Sequence, residues 1–266
     1  MLLRTLLEKT RNINKLLQRS AEYPVDFDEI ALVLSKEINT NVYIVGRYGK
    51  IYGNAFYKGF ACLTIEDVVF NKGKFPENYN NELLKINETR ANFCEINNRC
   101  VFNNINGQCT SENKFITIVP IIGGGQRFGT LFLTKLDKEF TSGDLILAEY
   151  GATVIGMEIL RTQAERLEEK ARKRAAVHVV LNTLSYSELE AAEHVFKELD
   201  ADEGILIASK VADKEGITRS VIVNALRKFE SASVIESKSL GMKGTYIRIL
   251  NDNLLDELLK KNHKQL

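Results

Sequence analysis

The sequence predicts an α+β chain: a first domain of helices around a hairpin-built sheet, a long linker helix, and a mostly helical second domain closing on a hairpin. Three observations carry this. Apolar residues recur at helical spacing near the N-terminus, β-branched runs fill 41–53 and 114–136, and a densely charged helical stretch at 161–174 follows them. The 266 residues, 44% hydrophobic and 27% charged, suffice for two ordinary cores.

The elements follow in order. Residues 1–20 read as an amphipathic helix with Leu2, Leu3, Leu6, Leu7, Ile13, Leu16 and Leu17 on one stripe. A second helix is expected over 26–38, started by Asp26 or Asp28, with Ile30, Leu32, Val33 and Leu34 inside. NVYIVGRYGKIYG (41–53) reads as strand, tight turn and strand. Residues 54–114, rich in Asn, predict long loops around short helices. KFITIVPIIGGGQRFGTLFLTKL (114–136) sets two β-rich runs about Gly123-Gly124-Gly125, a hairpin signature. Thr141 to Asp144 then caps a helix of about 40 residues. Its stretch 161–174 has 9 charged residues in 14, a helix polar on nearly all sides that bridges domains. The expected divisions are a first domain over 1–160, of the order seen in GAF- and PAS-type sensors, a linker helix over 161–180 and a second domain over 181–266. The segments 186–199, 205–216 and 218–232 read as helices, and 234–250 as two β-branched runs about a Gly turn.

Charge and cysteine usage exclude several classes. With 36 Lys+Arg against 35 Asp+Glu, no field of the whole chain selects nucleic acid or membrane, so any basic patch is local. No apolar run approaches the roughly 20 residues that span a bilayer. The N-terminus lacks the apolar core of a signal peptide, so a cytoplasmic location without membrane partners is expected. Cys62, Cys94, Cys100 and Cys109 contain no CxxC pair, so reduced, buried thiols are expected and no metal site. His178, His194 and His263 are scattered, and no catalytic constellation is expected.

The segment 208–228 meets the needs of a helix-turn-helix. Ala212 is small where two helices cross, Gly216 suits a turn with positive φ, Ile217 plugs the gap and Thr218 caps the next helix. Val211, Val221, Ile222 and Ala225 face inward. Outward stand Arg219, Ser220, Asn224, Arg227 and Lys228, suited to a major groove: Arg reads guanine, Asn reads adenine, and Thr218 and Ser220 suit phosphate. The hairpin after it carries Lys238, Lys243 and Arg248 as a wing. Residues 216–250 hold six basic and two acidic residues, a local balance of +4, against −4 over 176–200. A plain helical core with solvated cations is the alternative; the wing and the charge focus favour DNA.

ASKVADKEGITRSVIVNALRKFESASVIESKSLGMKGTYIRIL (208–250) resembles the C-terminal domain of the CodY family of nutrient-sensing transcriptional regulators of low-GC Gram-positive bacteria. TIVPIIGGGQRFGTL (117–131) and DLILAEYGATVIGMEILR (144–161) are similar to the same family. The resemblance covers almost the whole chain, loosely in 54–114. It implies a GAF-type effector domain for isoleucine, valine or leucine, GTP as a second effector, and a winged helix-turn-helix that binds operator DNA as a homodimer. It implies a global regulator, mainly a repressor, whose operator affinity the effectors raise.

Residue by residue, the resemblance places the amino-acid pocket at Phe75-Pro76 and Cys100-Val101-Phe102 and GTP at Arg47, Lys50 and Glu158; the expected DNA contacts are Ala208, Thr218, the outward residues and the wing lysines. The sequence departs from the family in three places. ACLTIEDVVF (61–70) lacks the Arg that often pairs with the ligand carboxylate, leaving backbone N–H groups, Arg90 or Arg99 for that role. Asn103-Asn104 follow Phe102 where Pro is frequent, and Gly46 and Tyr48 replace a common Ser and Arg near the phosphates. The run GGGQRFGT is not a phosphate loop, because Thr130 follows Gly129 without the Lys such a loop needs. Rival readings are a GTP-hydrolysing regulatory enzyme and a scaffold that does not bind DNA.

Overall fold

The structure, a computed structural model, describes residues 2–19, 26–58, 72–93, 114–136, 138–199 and 201–262. The chain forms two compact units, Met1–Gln163 and Ala164–Leu266. The expected divisions at 160 and 180 both fall within one continuous helix.

The first unit is built on a five-stranded antiparallel sheet. Its strands are β1 (Asn41–Gly46), β2 (Ile51–Ala55), β3 (Arg90–Phe93), β4 (Lys114–Gly123) and β5 (Gln126–Leu136), in the order β2-β1-β5-β4-β3. Helices α1 (Leu2–Arg19), α2 (Phe27–Ile38) and α3 (Glu77–Leu84) accompany it, and α4 (Ser142–Thr183) leaves from its end. Because strand side chains alternate, the sheet serves two cores. Val42, Ile44, Val119, Ile121, Leu131 and Leu133 join Ile13, Leu16, Ile30 and Leu34 of α1 and α2, and Leu147, Ala152 and Ile155 of α4. Tyr43, Val45, Ile116, Ile118 and Phe132 point the other way, toward Phe75 and Leu83.

Local chemistry fixes these elements. The Asp26 carboxylate accepts from Asp28 N at 2.9 Å and caps α2. Thr141 and Asp144 cap each other at the start of α4, Thr141 N to Asp144 Oδ2 at 2.9 Å and Asp144 N to Thr141 Oγ1 at 3.3 Å. The helix α4 lies very close to its neighbours. A Cβ at Gly156 would stand 2.7 Å from Ile122 O, and one at Gly151 2.6 Å from the Leu34 side chain. Three expected apolar positions differ: Leu3, Leu7 and Leu32 are exposed, because the core takes only the part of the α1 stripe around Ile13 and Leu16 and the Ile30/Leu34 edge of α2.

The second unit holds the end of α4, helices α5 (Tyr186–Lys197), α6 (Ala208–Glu215), α7 (Arg219–Ser231) and α8 (Leu254–Asn262), and a three-stranded antiparallel sheet. Its strands are β6 (Glu203–Leu206), β7 (Ile235–Ser239) and β8 (Thr245–Ile249), in the order β6-β8-β7. Val177, Val180 and Leu181 of α4 enter the core with Leu189, Phe196, Ile222 and Ile247. Phe196 and Phe229 meet edge to face at 5.4 Å. The segment 205–216, expected as helix throughout, begins instead with strand β6. Leu206 is buried and the four residues complete the wing sheet against β8. Sensor-type α+β unit, long helix and winged helix-turn-helix therefore follow one another as the sequence predicts. Among the described residues no helix is long and apolar enough to cross a membrane.

Candidate nucleic-acid interface and ligand chamber

The helix-turn-helix is made by α6, a tight turn and α7. Gly216 ends α6 at φ +69 and ψ +20, and Ile217 N returns to Ala212 O at 3.1 Å. Val211 and Ala212 of α6 and Ile222, Ala225, Leu226 and Phe229 of α7 are buried. Ile217 is half-buried against this core, as a plug should be.

The opposite face of α7 is open. Arg219, Ser220, Asn224 and Arg227 are all exposed. At about 100° per residue they fall within an arc of about 140°. Such an arc presents two guanidinium groups, an amide and a hydroxyl on one side, starting at the helix N-terminus. Thr218 stands at the N-cap position, but its hydroxyl does not cap the helix; Thr218 Oγ1 lies 3.0 Å from Ser220 Oγ. Both hydroxyls are exposed and remain together at the helix start. Ala208 opens α6 and is half-buried against the core.

Lys228 departs from the expected outward row. Its ammonium donates to Glu188 Oε2 at 2.7 Å and to Thr183 O at 2.9 Å. The reason is geometric: Lys228 lies at the edge of the arc, where its long stem reaches the start of α5. There Ser185 and Glu188 form a reciprocal capping box. The Lys228 hydrogen bond holds the Glu188 carboxyl below its ordinary value, against the opposing cost of burial. Lys228 is a tie between helices.

The wing joins β7 to β8 through a 3-10 turn, Gly241–Lys243. Lys238 and Lys243 are exposed. Arg248 stands across the strands from Glu203 and Glu236, with Nε 3.7 Å from Glu203 Oε2.

The first unit's second sheet face carries a packed aromatic cluster. Phe75, 2% exposed, meets Phe132 edge to face at 5.6 Å and Tyr79 in a stack at 6.1 Å. Tyr43 meets Phe56, Phe75 and Phe132 at 5.8–6.1 Å. Pro76 follows at the N-cap position of α3. Arg90 lies across from Ile118 on the same face, its guanidinium 5.1 Å over the Phe93 ring. A cleft of about 510 Å³ opens on this face at the β1/β5 end, lined by Asn41, Tyr57, Lys58, Thr134 and Lys135 among others, and not by Phe75. Cys100, Val101, Phe102 and Arg99, with Cys62, Cys94 and Cys109, lie outside the described residues, as does 61–70.

Arg47 and Lys50 are exposed in the turn between β1 and β2. That turn is bound to the Phe75 segment by three hydrogen bonds. Phe75 N donates to Gly49 O at 2.8 Å, Ile51 N to Gly73 O at 2.9 Å, and Asn80 Nδ2 to Arg47 O at 2.9 Å. Glu158 sits on α4, 4% exposed, with Oε2 3.2 Å from Arg161 Nη2. Gly124 and Gly125 form the turn between β4 and β5, where a hairpin was expected. Beside it Arg127, which no sequence signal marked, donates to Ile86 O at 2.6 Å and Thr130 Oγ1 at 3.1 Å, and burial lowers its pKa. Among the described residues no group of three or more His, Cys, Asp or Glu could hold a metal ion.

Comparison with known proteins covers both units. Residues 5–183 match the model of the CodY GAF-like domain, and residues 202–262 that of the CodY helix-turn-helix domain. The chain is 59% identical over 256 residues to the global transcriptional regulator CodY of Clostridium botulinum (strain Okra / Type B1), covering 96% of this chain and 98% of that one. It is 57% identical to that of Clostridium tetani (strain Massachusetts / E88), with the same coverage. The solved cofactor-binding GAF domain of the nutrient sensor CodY from Clostridium difficile is similar at 35% identity and a TM-score of 0.40, covering 57% of this chain and 96% of that chain. With both of its units matched, the chain belongs to the CodY family of global transcriptional regulators.

Proposed function

We propose that this regulator reads operator DNA with α7 in the major groove and the wing beside it, and that branched-chain amino acids and GTP raise its operator affinity. The observation that carries the DNA reading is the exposed row Arg219, Ser220, Asn224 and Arg227, set by Gly216 on a helix whose other face is core. Arg219 and Arg227 suit guanine, Asn224 suits adenine, and Thr218, Ser220, Lys238 and Lys243 suit phosphates. Lys228 drops out of this set, and Ala208 adds only backbone.

The effector reading rests on the aromatic cluster, taken as the wall of a ligand chamber. A branched aliphatic side chain favours an apolar, aromatic-lined site with a few polar groups for its charged ends. Phe75 and Pro76 supply one wall, and Arg90, on the same face, is a cation of the right sign for a carboxylate. GTP phosphates would meet Arg47 and Lys50. Glu158 would read the guanine edge only by exchanging its Arg161 partner. The regulator would then work without catalysis, by a coupling of about 1–3 kcal/mol between effector and DNA, or about 5–150-fold in affinity.

A homodimer is supported by α4. Ile146, Thr153, Met157 and Leu160 of α4 are exposed at seven-, four- and three-residue steps, and Ile146 and Met157 are more than half exposed. This is the spacing of a helix-pair seam.

The test is fluorescence anisotropy on a duplex selected in vitro by the protein itself, with isoleucine and GTP added singly and together. Tighter binding with isoleucine is expected. Unchanged affinity removes the effector reading and leaves DNA binding intact. Binding that ignores salt concentration removes the DNA reading, because phosphate neutralisation is steeply salt-dependent.

A further inference from the structure

The wing turns tightly at its tip. Gly241 (φ +62) and Gly244 (φ +108) bracket the 3-10 turn. Leu240 N donates to Gly244 O at 2.8 Å and Gly244 N to Gly241 O at 3.2 Å. The tip is also seated at its base: a Cβ on Gly244 would stand 2.5 Å from Leu206 O at the end of β6. Only glycine combines that φ with that approach.

This mount holds out one large apolar side chain. Met242 is entirely exposed, while its neighbour Leu240 turns back and is half-buried. Single exposed apolar residues are common on protein surfaces. Here the surroundings set Met242 apart. At the base of the wing, Glu203 and Glu236 face Arg248, and Tyr246 OH donates to Glu203 Oε2 at 2.6 Å. Toward the tip, Lys238 and Lys243 have no carboxylate within ion-pair distance among the described residues. Charge is neutralised at the base and positive around the methionine.

We infer that Met242 is a minor-groove wedge. With α7 in the major groove, Lys238 and Lys243 take phosphates on either side of the adjacent minor groove, and the Met242 thioether presses between base pairs there. Apolar side chains inserted in this way partly unstack a base step and kink the duplex. The kink is least costly at pyrimidine–purine steps, so the wing adds sequence preference at positions α7 does not touch. The inference rests on the winged helix-turn-helix binding DNA as proposed above.

The experiment uses the full chain and a selected duplex carrying 2-aminopurine at successive positions flanking the α7 site. Wild type should raise 2-aminopurine fluorescence at one step and bend the duplex in a circular-permutation gel. Met242→Ala should lose both signals and bind about tenfold more weakly, with the salt dependence of binding unchanged because no charge is removed. Met242→Leu should keep the bend. A Met242→Ala protein with the wild-type bend and fluorescence overturns the wedge, as does tight wild-type binding to an unkinked duplex; both leave the DNA reading standing. A wild-type protein that binds no duplex removes the DNA reading, and the wedge with it.

Discussion

The first unit keeps its candidate functional side chains buried within its packing, and the second holds them exposed outside it. Each is an antiparallel sheet packed with helices. In the first, Tyr43, Phe75 and Phe132, the proposed walls of the chamber, form the second core of the sheet. In the second, Arg219, Asn224 and Arg227 stand outside a helix whose opposite face does the packing. On the proposed function, a substitution in the first set also disturbs a core, and a substitution in the second does not.

The largest effect should come from Phe75→Ala. Loss of this buried ring should cost about 3–5 kcal/mol in urea unfolding of the first unit and abolish the isoleucine response. Normal unfolding with a lost response would show that chamber and core are distinct after all. Arg219→Ala should weaken operator binding by about 1–3 kcal/mol, relax discrimination at one base pair, and leave the thermal midpoint unchanged. A shifted midpoint would place Arg219 in the fold and break the contrast.

Lys228→Ala tests the contrast from inside α7. It should cost about 1 kcal/mol of stability and leave the salt slope of DNA binding as it is. The sign with pH follows from Glu188, whose carboxyl is held below its ordinary value of 4.5. The stabilisation is present above that value and is lost as pH falls through the lower folded value, so wild type and Lys228→Ala should converge in acid unfolding. A difference that persists at low pH would assign the effect to packing of the Lys stem. The smallest effect belongs to Lys243→Ala, which should lower the salt slope by about 1 without changing stability. An unchanged slope would take Lys243 off the phosphates.

The two regions were unequally legible in the sequence. Gly216 and the apolar spacing around Ile222 and Phe229 announce the helix-turn-helix, because each performs a local task that few residues can do. The hairpin over 114–136 is readable for the same reason. Helical phase sets Lys228 on the outward row, but phase gives the direction of a Cβ and not the reach of a four-carbon stem toward another helix. Strand β6 is hidden in the sequence because four residues show too little periodicity to outvote the helix beside them. The chamber was the least legible. Phe75 touches Phe132 only through the fold, and Asn80, the tie to Arg47, is one Asn in an Asn-rich stretch. The family resemblance pointed to Phe75 and Pro76 where periodicity could not.

The closeness of α4 to its sheet restricts how the first unit can deform. With Gly156 against Ile122 O and Gly151 against Leu34, an axial step of one residue, about 1.5 Å, would drive a larger side chain into main chain or into a filled core. These two contacts oppose a screw-like step of α4 over this stretch. A ligand that shifts the end of β4 would press on α4 where Gly156 meets Ile122 O.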